Sequence, residues 1–238
     1  MKIALLGYGL ETKSAQRYYA ALYPDATFAV YDNADEPKFT VTPDMEFHGG
    51  MKDFHDIDAD IVVRTPAIAP HRVSSRGSVT SVTKEFFDVC PVPIIGVTGT
   101  KGKGTTASLI AAILQKAGIK TWLIGNIGIP ALDVIDEIKE AGDGVVVYEL
   151  SSFQLWDMTK SPHVAVLLMI EPEHLDVHAD FEDYIQAKGN IARHQQSDDA
   201  IVYFADNPIT VKLAEESAGR HIPYYPETGE SIRVHYHE

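Results

Sequence analysis

The chain contains a single cysteine, Cys90, in 238 residues. One cysteine excludes a disulfide framework and a multi-cysteine zinc site, and it is what a reducing cytoplasm permits. Cys90 itself reads as a small buried hydrophobe. Positive charge is scarce as well. Only 20 Lys and Arg stand against 34 Asp and Glu, for a formal net charge of −14, whereas a general nucleic-acid binder needs a basic face to hold phosphates. Any polyanionic ligand must therefore be gripped locally. Long apolar runs are also missing. The N-terminal "MKIALLGYGLE" has a short apolar stretch before Gly7, and no other segment approaches about 18 uninterrupted apolar residues. The sequence predicts a soluble cytoplasmic protein, a monomer, with no nucleic-acid or membrane partner. Its hydrophobic fraction of 45% supports an ordinary core, and its length suits two domains.

What is present is a repeated grammar of apolar run, glycine turn and helical pattern. "KIALLGYGLETKSAQRYYAAL" shows it first, with "TFAVYD" a second strand ending at Asp32 and "ADIVVRTP" another strand. "DVCPVPIIGVTG" restarts it, and Pro91 with Pro93 suits a linker better than a sheet interior. This predicts a parallel α/β chain with a Rossmann-like domain over 1–91 and a P-loop ATPase-type α/β domain over 92–238. In the second domain "TTASLIAAILQKAG" has helical spacing and ends at a capping Gly118. "TWLIGN", "GVVVYEL", "HVAVLLMI" and "DAIVYF" read as buried strands, "FEDYIQAKGNIARHQ" as a helix, and "YYPETGESIRVHYHE" as a turn between strand-like residues.

The chemistry concentrates at the two glycine turns. In "GYGLET", Gly7, Gly9 and Leu10 lie between strand and helix, a place for an anionic group at a helix N-terminus. A full dinucleotide fingerprint needs a third glycine where Thr12 stands, so a nicotinamide dehydrogenase is the weakest reading. Asp32 is placed to accept from a sugar or a base. The second turn, "VTGTKGKGTT" from Val97, resembles a Walker A loop in which the residue after the lysine is glycine. Gly99, Thr100, Lys101, Gly102, Lys103, Gly104, Thr105 and Thr106 would cradle a polyphosphate, with Lys103 on its charge and the hydroxyls meeting a metal ion.

"GTKGKGTT", "GNIG" at 125–128, "ELSSFQL" at 149–155 and "EHLDVHADFEDYIQAKGNI" at 173–191 together resemble the Mur ligase family of peptidoglycan synthesis and its folylpolyglutamate synthase relatives. The likeness is strong over about 94–207 and looser before it. "ELSSFQL" is most similar to the branch that joins D-glutamate to UDP-N-acetylmuramoyl-L-alanine. The resemblance implies an ATP-dependent, ADP-forming amide ligase working through an acyl phosphate with two Mg²⁺ ions. Within it Lys103, His174 and Lys188 would be catalytic. Thr105, Glu149, His174 and Lys188, the last as a carbamate, would hold metal. Gly7, Gly9, Leu10, Asp32, Thr65, Asn126 and Gln154 would contact the UDP-muramoyl substrate.

The chain departs from the family pattern at Thr12, Thr65 and Ala67, where glycine or serine is usual, and at Met169, Glu173 and Phe204 near the metal motif. The family also implies further ATPase residues and a domain for the incoming amino acid beyond Glu238. On this reading the 238 residues are an N-terminal fragment and are expected to be inactive alone. A folylpolyglutamate synthase-like ligase and a non-catalytic nucleotide-binding module are the alternatives.

Overall fold

The computed structural model describes residues 1–125 and 129–225. The uninterrupted apolar run after Lys2 forms β1 (Lys2–Leu6), and Ile3 through Leu6 are fully buried, as a strand covered on both faces requires. Around it the first half contributes α1 (Leu10–Leu22), β2 (Thr27–Tyr31), β3 (Met45–His48), β4 (Phe54–Ile57), β5 (Ile61–Arg64), β6 (Val73–Ser75), β7 (Ser78–Ser81) and α2 (Val82–Val89). Five of these strands make a parallel sheet in the order β3-β2-β1-β5-β7, and among the described residues β4 pairs with β6 alone.

Past Pro91 and Pro93 a second sheet begins. Its elements are β8 (Ile94–Thr98), α3 (Lys103–Lys116), β9 (Thr121–Gly125), α4 (Ile135–Ala141), β10 (Val145–Glu149), α5 (Ser152–Leu155), β11 (Val164–Leu167), α6 (Phe181–Arg193), β12 (Ala200–Phe204), α7 (Pro208–Ala214) and β13 (Arg220–Tyr224). All six strands are parallel, in the order β13-β12-β11-β8-β10-β9. In both sheets the chain order reverses beside the strand that precedes a glycine turn. Ligands of open parallel sheets bind in the crevice at such switch points, so β1 and β8 each aim a turn at one.

The two sheets share an apolar core. Ile3, Leu5 and Phe86 from the first half pack in one cluster with Ile138, Tyr148 and Leu155 from the second. At the rim, Arg17 of α1 makes a bidentate ion pair with Asp133 at 2.7 and 2.8 Å. Helix α3 covers the opposite face of the second sheet, burying Ala107 and Ala111 against Val97, Val147 and Val166 while Leu109 and Ile113 stay exposed. Cys90 departs from its expected burial: it is only half-buried, its thiol donating to the Val92 carbonyl at 3.5 Å, because the chain surfaces between α2 and β8. Among the described residues no helix is long and apolar enough to cross a membrane. The tail from Pro226 onward, expected to form a turn between strand-like residues, lies outside the described residues.

Candidate nucleotide and substrate site

The loop after β8 is shaped by backbone contacts. Gly99 has φ of +150°, and a Cβ on it would come within 2.6 Å of the Leu168 Cβ, so β11 can run close beside the loop only if residue 99 has no side chain. Gly102 then serves as N-cap of α3 in the left-handed region, with φ of +84°. Thr100 anchors the loop from below. Its N–H donates to the Met169 carbonyl at 2.8 Å, and its hydroxyl meets the Glu171 N–H and the Tyr184 hydroxyl at 2.8 and 3.0 Å. Residue 169 thus serves this loop through its backbone, which makes the methionine there compatible with the contact. Lys101, Gly102 and Thr105 are exposed at the mouth, and Gly104 and Thr106 are partly buried on the first turn of α3. The Lys103 ammonium folds over the loop onto the carbonyls of Gly99 and Thr100, at 3.1 and 2.9 Å.

Two ionisable groups lie behind this loop. Glu149 closes β10, next to β8 in the sheet with Val97 as its register partner, and is 3% exposed. Its Oε2 is buried without a hydrogen-bond partner. Lys188 reaches in from α6, 1% exposed, donating to the Gly99 carbonyl at 2.9 Å and the Thr98 hydroxyl at 3.3 Å, with the Tyr184 ring 4.7 Å from its nitrogen. Burial, and secondarily the Lys103 charge, push Lys188 down to about 7. An amine of that pKa is half neutral near pH 7, the form that reacts with CO₂.

These residues fit a magnesium–nucleotide. Among the described residues no three His, Cys, Asp or Glu side chains converge, but Mg²⁺ is bound by one or two carboxylates together with phosphate oxygens and waters. The unpartnered Glu149 oxygen is such a carboxylate, beside a loop of backbone donors.

His174 reaches the Lys188 side of the site only indirectly, its ring centroid 6.5 Å from that of Tyr184, whose ring faces Lys188. It has φ of +57° and a half-exposed side chain 3.7 Å from Glu173, its ring packs near Phe153, and no hydrogen bond or ion pair joins it to Glu149 or Lys188. The buried histidine of that segment is His178. Its Nδ1 lies 2.9 Å from Asp183 and its Nε2 3.0 Å from the Ser152 hydroxyl, with Phe153 stacked on the ring. Asp183 also accepts the Trp156 indole N–H at 3.0 Å. This strut fixes the start of α5 to the start of α6, and hence Glu149 relative to Lys188. His178 was not among the residues singled out from the sequence; its burial and its two partners single it out in the structure.

In the first half, Gly7 turns the chain out of β1 with φ of +72°, and a Cβ there would lie 2.9 Å from the Thr65 methyl. The turn and the "TPA" segment are therefore neighbours. A cavity of about 310 Å³ opens beside them, lined among others by Tyr8, Gly9, Lys13, Asp32 and Phe39. Asp32 accepts the Ala34 N–H at 3.0 Å, and Leu10 is exposed. Asn126 lies outside the described residues. Gln154 is 2% exposed and engaged twice: Oε1 accepts from the N–H and hydroxyl of Ser151 in a capping box, and Nε2 donates to Glu11 at 2.9 Å. Sequence reasoning passed over that Glu11, and over Arg64, a fully buried guanidinium paired with Asp157 at 2.6 Å.

The model of the Mur ligase middle domain matches residues 97–235. The UDP-N-acetylmuramoylalanine–D-glutamate ligase of Acetivibrio thermocellus is 42% identical over 231 residues, which is 92% of this chain and 49% of that protein. The ligase of the same name from Clostridium botulinum strain Langeland is 35% identical over 92% of this chain and 50% of its own length. The chain spans about half the length of the curated relatives it matches. Among solved structures, UDP-N-acetylmuramate:L-alanyl-gamma-D-glutamyl-meso-diaminopimelate ligase of Neisseria meningitides superposes with a TM-score of 0.57 at 18% identity, over 93% of this chain and 77% of that one. A murein peptide ligase of Psychrobacter arcticus gives 0.52 at 18% identity, over 93% and 52%. Those two likenesses carry the fold. The family match and the curated relatives carry the membership: the chain belongs to the Mur ligase family.

Proposed function

We propose that this chain forms the UDP-substrate and ATP-binding parts of a cytoplasmic, ATP-dependent ligase that adds D-glutamate to UDP-N-acetylmuramoyl-L-alanine, releasing ADP and phosphate. The observation that carries the proposal is a P-loop lysine, Lys103, on the loop after β8 together with a buried carboxylate, Glu149, whose unpartnered oxygen ends the neighbouring strand β10. The names of the curated relatives supply the substrate.

In this reading residues 1–91 bind the UDP-muramoyl group and residues from 92 onward bind ATP. The Gly7–Leu10 turn offers backbone N–H groups to the diphosphate, with Thr65 beside it, Asp32 at the nucleoside, and Asn126 and Gln154 contributing from the second half. When bound, Mg²⁺, one ion or two, offsets phosphate charge; Glu149 and Thr105 would hold it, with Lys188, as a carbamate, and His174 as further ligands.

The reaction joins a carboxylate to an amine. A carboxylate oxygen of the L-alanyl group forms a bond to the γ-phosphorus as the bond to ADP breaks, and the D-glutamate nitrogen then attacks the acyl carbon, loses a proton and expels phosphate. Negative charge gathers on the transferred group throughout. Lys103 leaves the carbonyls it now caps and follows that charge, and the loop N–H groups hold the phosphates in line, so positioning and electrostatics supply the catalysis.

Calorimetric titration of the chain with UDP-N-acetylmuramoyl-L-alanine and, separately, with NAD tests the assignment of the first half. Saturable binding of the UDP compound alone is expected. Tighter binding of NAD would sink it.

A further inference from the structure

Two partly buried bridges join the first half of the chain to one short segment of the second. Glu11, in the first turn of α1, accepts from Gln154 Nε2 at 2.9 Å. Arg64, at the end of β5, donates from Nη2 to Asp157 at 2.6 Å and from Nη1 to the carbonyls of Thr65 and Ile68 at 3.2 and 2.6 Å. Each side chain does two things at once. The same Gln154 amide that reaches Glu11 also caps α5 through Ser151. The same planar guanidinium that holds Asp157 also ties down the 65–68 turn, and its rigid fork makes turn and carboxylate move as one body.

Both bridges land on residues 151–157, the segment that follows Glu149. Both start next to the residues assigned above to the UDP substrate: Glu11 follows Leu10 and Arg64 precedes Thr65. The seam is also under-satisfied: Glu11 Oε2 and Arg64 Nε are buried without hydrogen-bond partners. Packing the two halves here thus carries a desolvation cost, and ligands bound on either side of the seam can offset that cost.

We infer that the Glu11–Gln154 and Arg64–Asp157 bridges are positioning contacts that couple substrate binding at the first-half turns to nucleotide binding at the Lys103 loop. The coupling works through residues 151–157, which hold the end of β10 and so the Glu149 carboxylate. By linkage, each ligand must tighten the other by the same factor.

The inference rests on the proposed function, and calorimetry of the chain separates the two. The probes are UDP-N-acetylmuramoyl-L-alanine and a non-hydrolysable ATP analogue with Mg²⁺. Each is first titrated alone; if the UDP compound fails to bind the unaltered chain, the functional reading falls and takes the inference with it. With both binding, saturating UDP compound should tighten the analogue at least about fivefold, within the usual range of coupling. In Glu11→Ala and in Asp157→Ala that factor should collapse towards one while the analogue's affinity alone changes little. Glu11→Gln, whose carbonyl still accepts from Gln154, should keep it. Circular dichroism checks folding, and Asp157→Leu, which fills the space without an acceptor, replaces Asp157→Ala if that variant unfolds. A factor near one in the unaltered chain, or full coupling in the folded alanine variants, overturns the inference.

Discussion

The Lys188 ammonium nitrogen lies 2.9 Å from the carbonyl oxygen of Gly99, so a residue of α6 closes the underside of the loop that opens α3. The contact places an amine where burial holds it near a pKa of about 7 instead of 10.5. Charging Lys188 is therefore harder in the folded chain than in the unfolded one. Between pH 7 and 10.5 the unfolded chain binds more protons at this site, and stability gained from it rises with pH through that window and is lost as pH falls towards 7. Urea unfolding of Lys188→Met should lack this rise. Relative to the variant, the unaltered chain should gain about 2 kcal/mol between pH 7 and 9.

Glu11 has the opposite sign. Burial raises its carboxyl above the ordinary 4.5, against the pull of the Gln154 amide and the Arg64 charge. A raised carboxyl favours the folded chain at low pH and loses that contribution as pH climbs from 4.5 through the raised value. Glu11→Gln keeps the hydrogen bond and removes the charge. It should be the more stable protein at pH 7.5 and no different at pH 4, read from thermal midpoints at the two pH values.

Gly99→Ala should fail by sterics and backbone strain together. A methyl at 2.6 Å from Leu168, on a backbone with φ of +150°, forces β11 and the loop apart. A loss of about 2 kcal/mol in unfolding free energy is expected, with a larger proportional loss of nucleotide affinity because the loop N–H groups move. Gly118→Ala, at the end of α3 with open space around its Cβ, should leave nucleotide affinity unchanged in the same titration.

The strut at His178 gives an optical prediction. Asp183→Ala removes the acceptor of the Trp156 indole N–H and a partner of the His178 ring, leaving buried polar groups unpaired at a cost of about 1 to 3 kcal/mol. Tryptophan emission should shift, because the other tryptophan, Trp122, bonds Glu137 on a different helix. Unchanged emission with unchanged stability would remove the strut from the account.

Much of the second sheet was legible in the sequence because its strands read as apolar runs: "GVVVYEL" contains β10 and "HVAVLLMI" contains β11. The glycine and lysine pattern located the loop for the same reason, since close backbone approach needs those residue types. Strands β3 and β7, "MEFH" and "SVTS", were not legible. They are short and half polar, and only their place at the two ends of the first sheet makes them strands. The bridging residues were hidden differently. Glu11, Arg64 and Asp157 look like solvated charges in a sequence, and nothing local tells a surface arginine from one that is fully buried across a seam. His178 was hidden too: spacing pointed to His174, and only packing shows that His178 is buried between Ser152 and Asp183.

The account rests on the Lys103 loop and the Glu149 carboxylate forming one nucleotide site. Titration of the chain with a non-hydrolysable ATP analogue, with and without Mg²⁺, tests that most directly. One-to-one binding should appear with Mg²⁺, weaken without it and in Glu149→Gln, and vanish in Lys103→Ala. Absence of binding to the unaltered chain, or equal binding by Lys103→Ala, would contradict it.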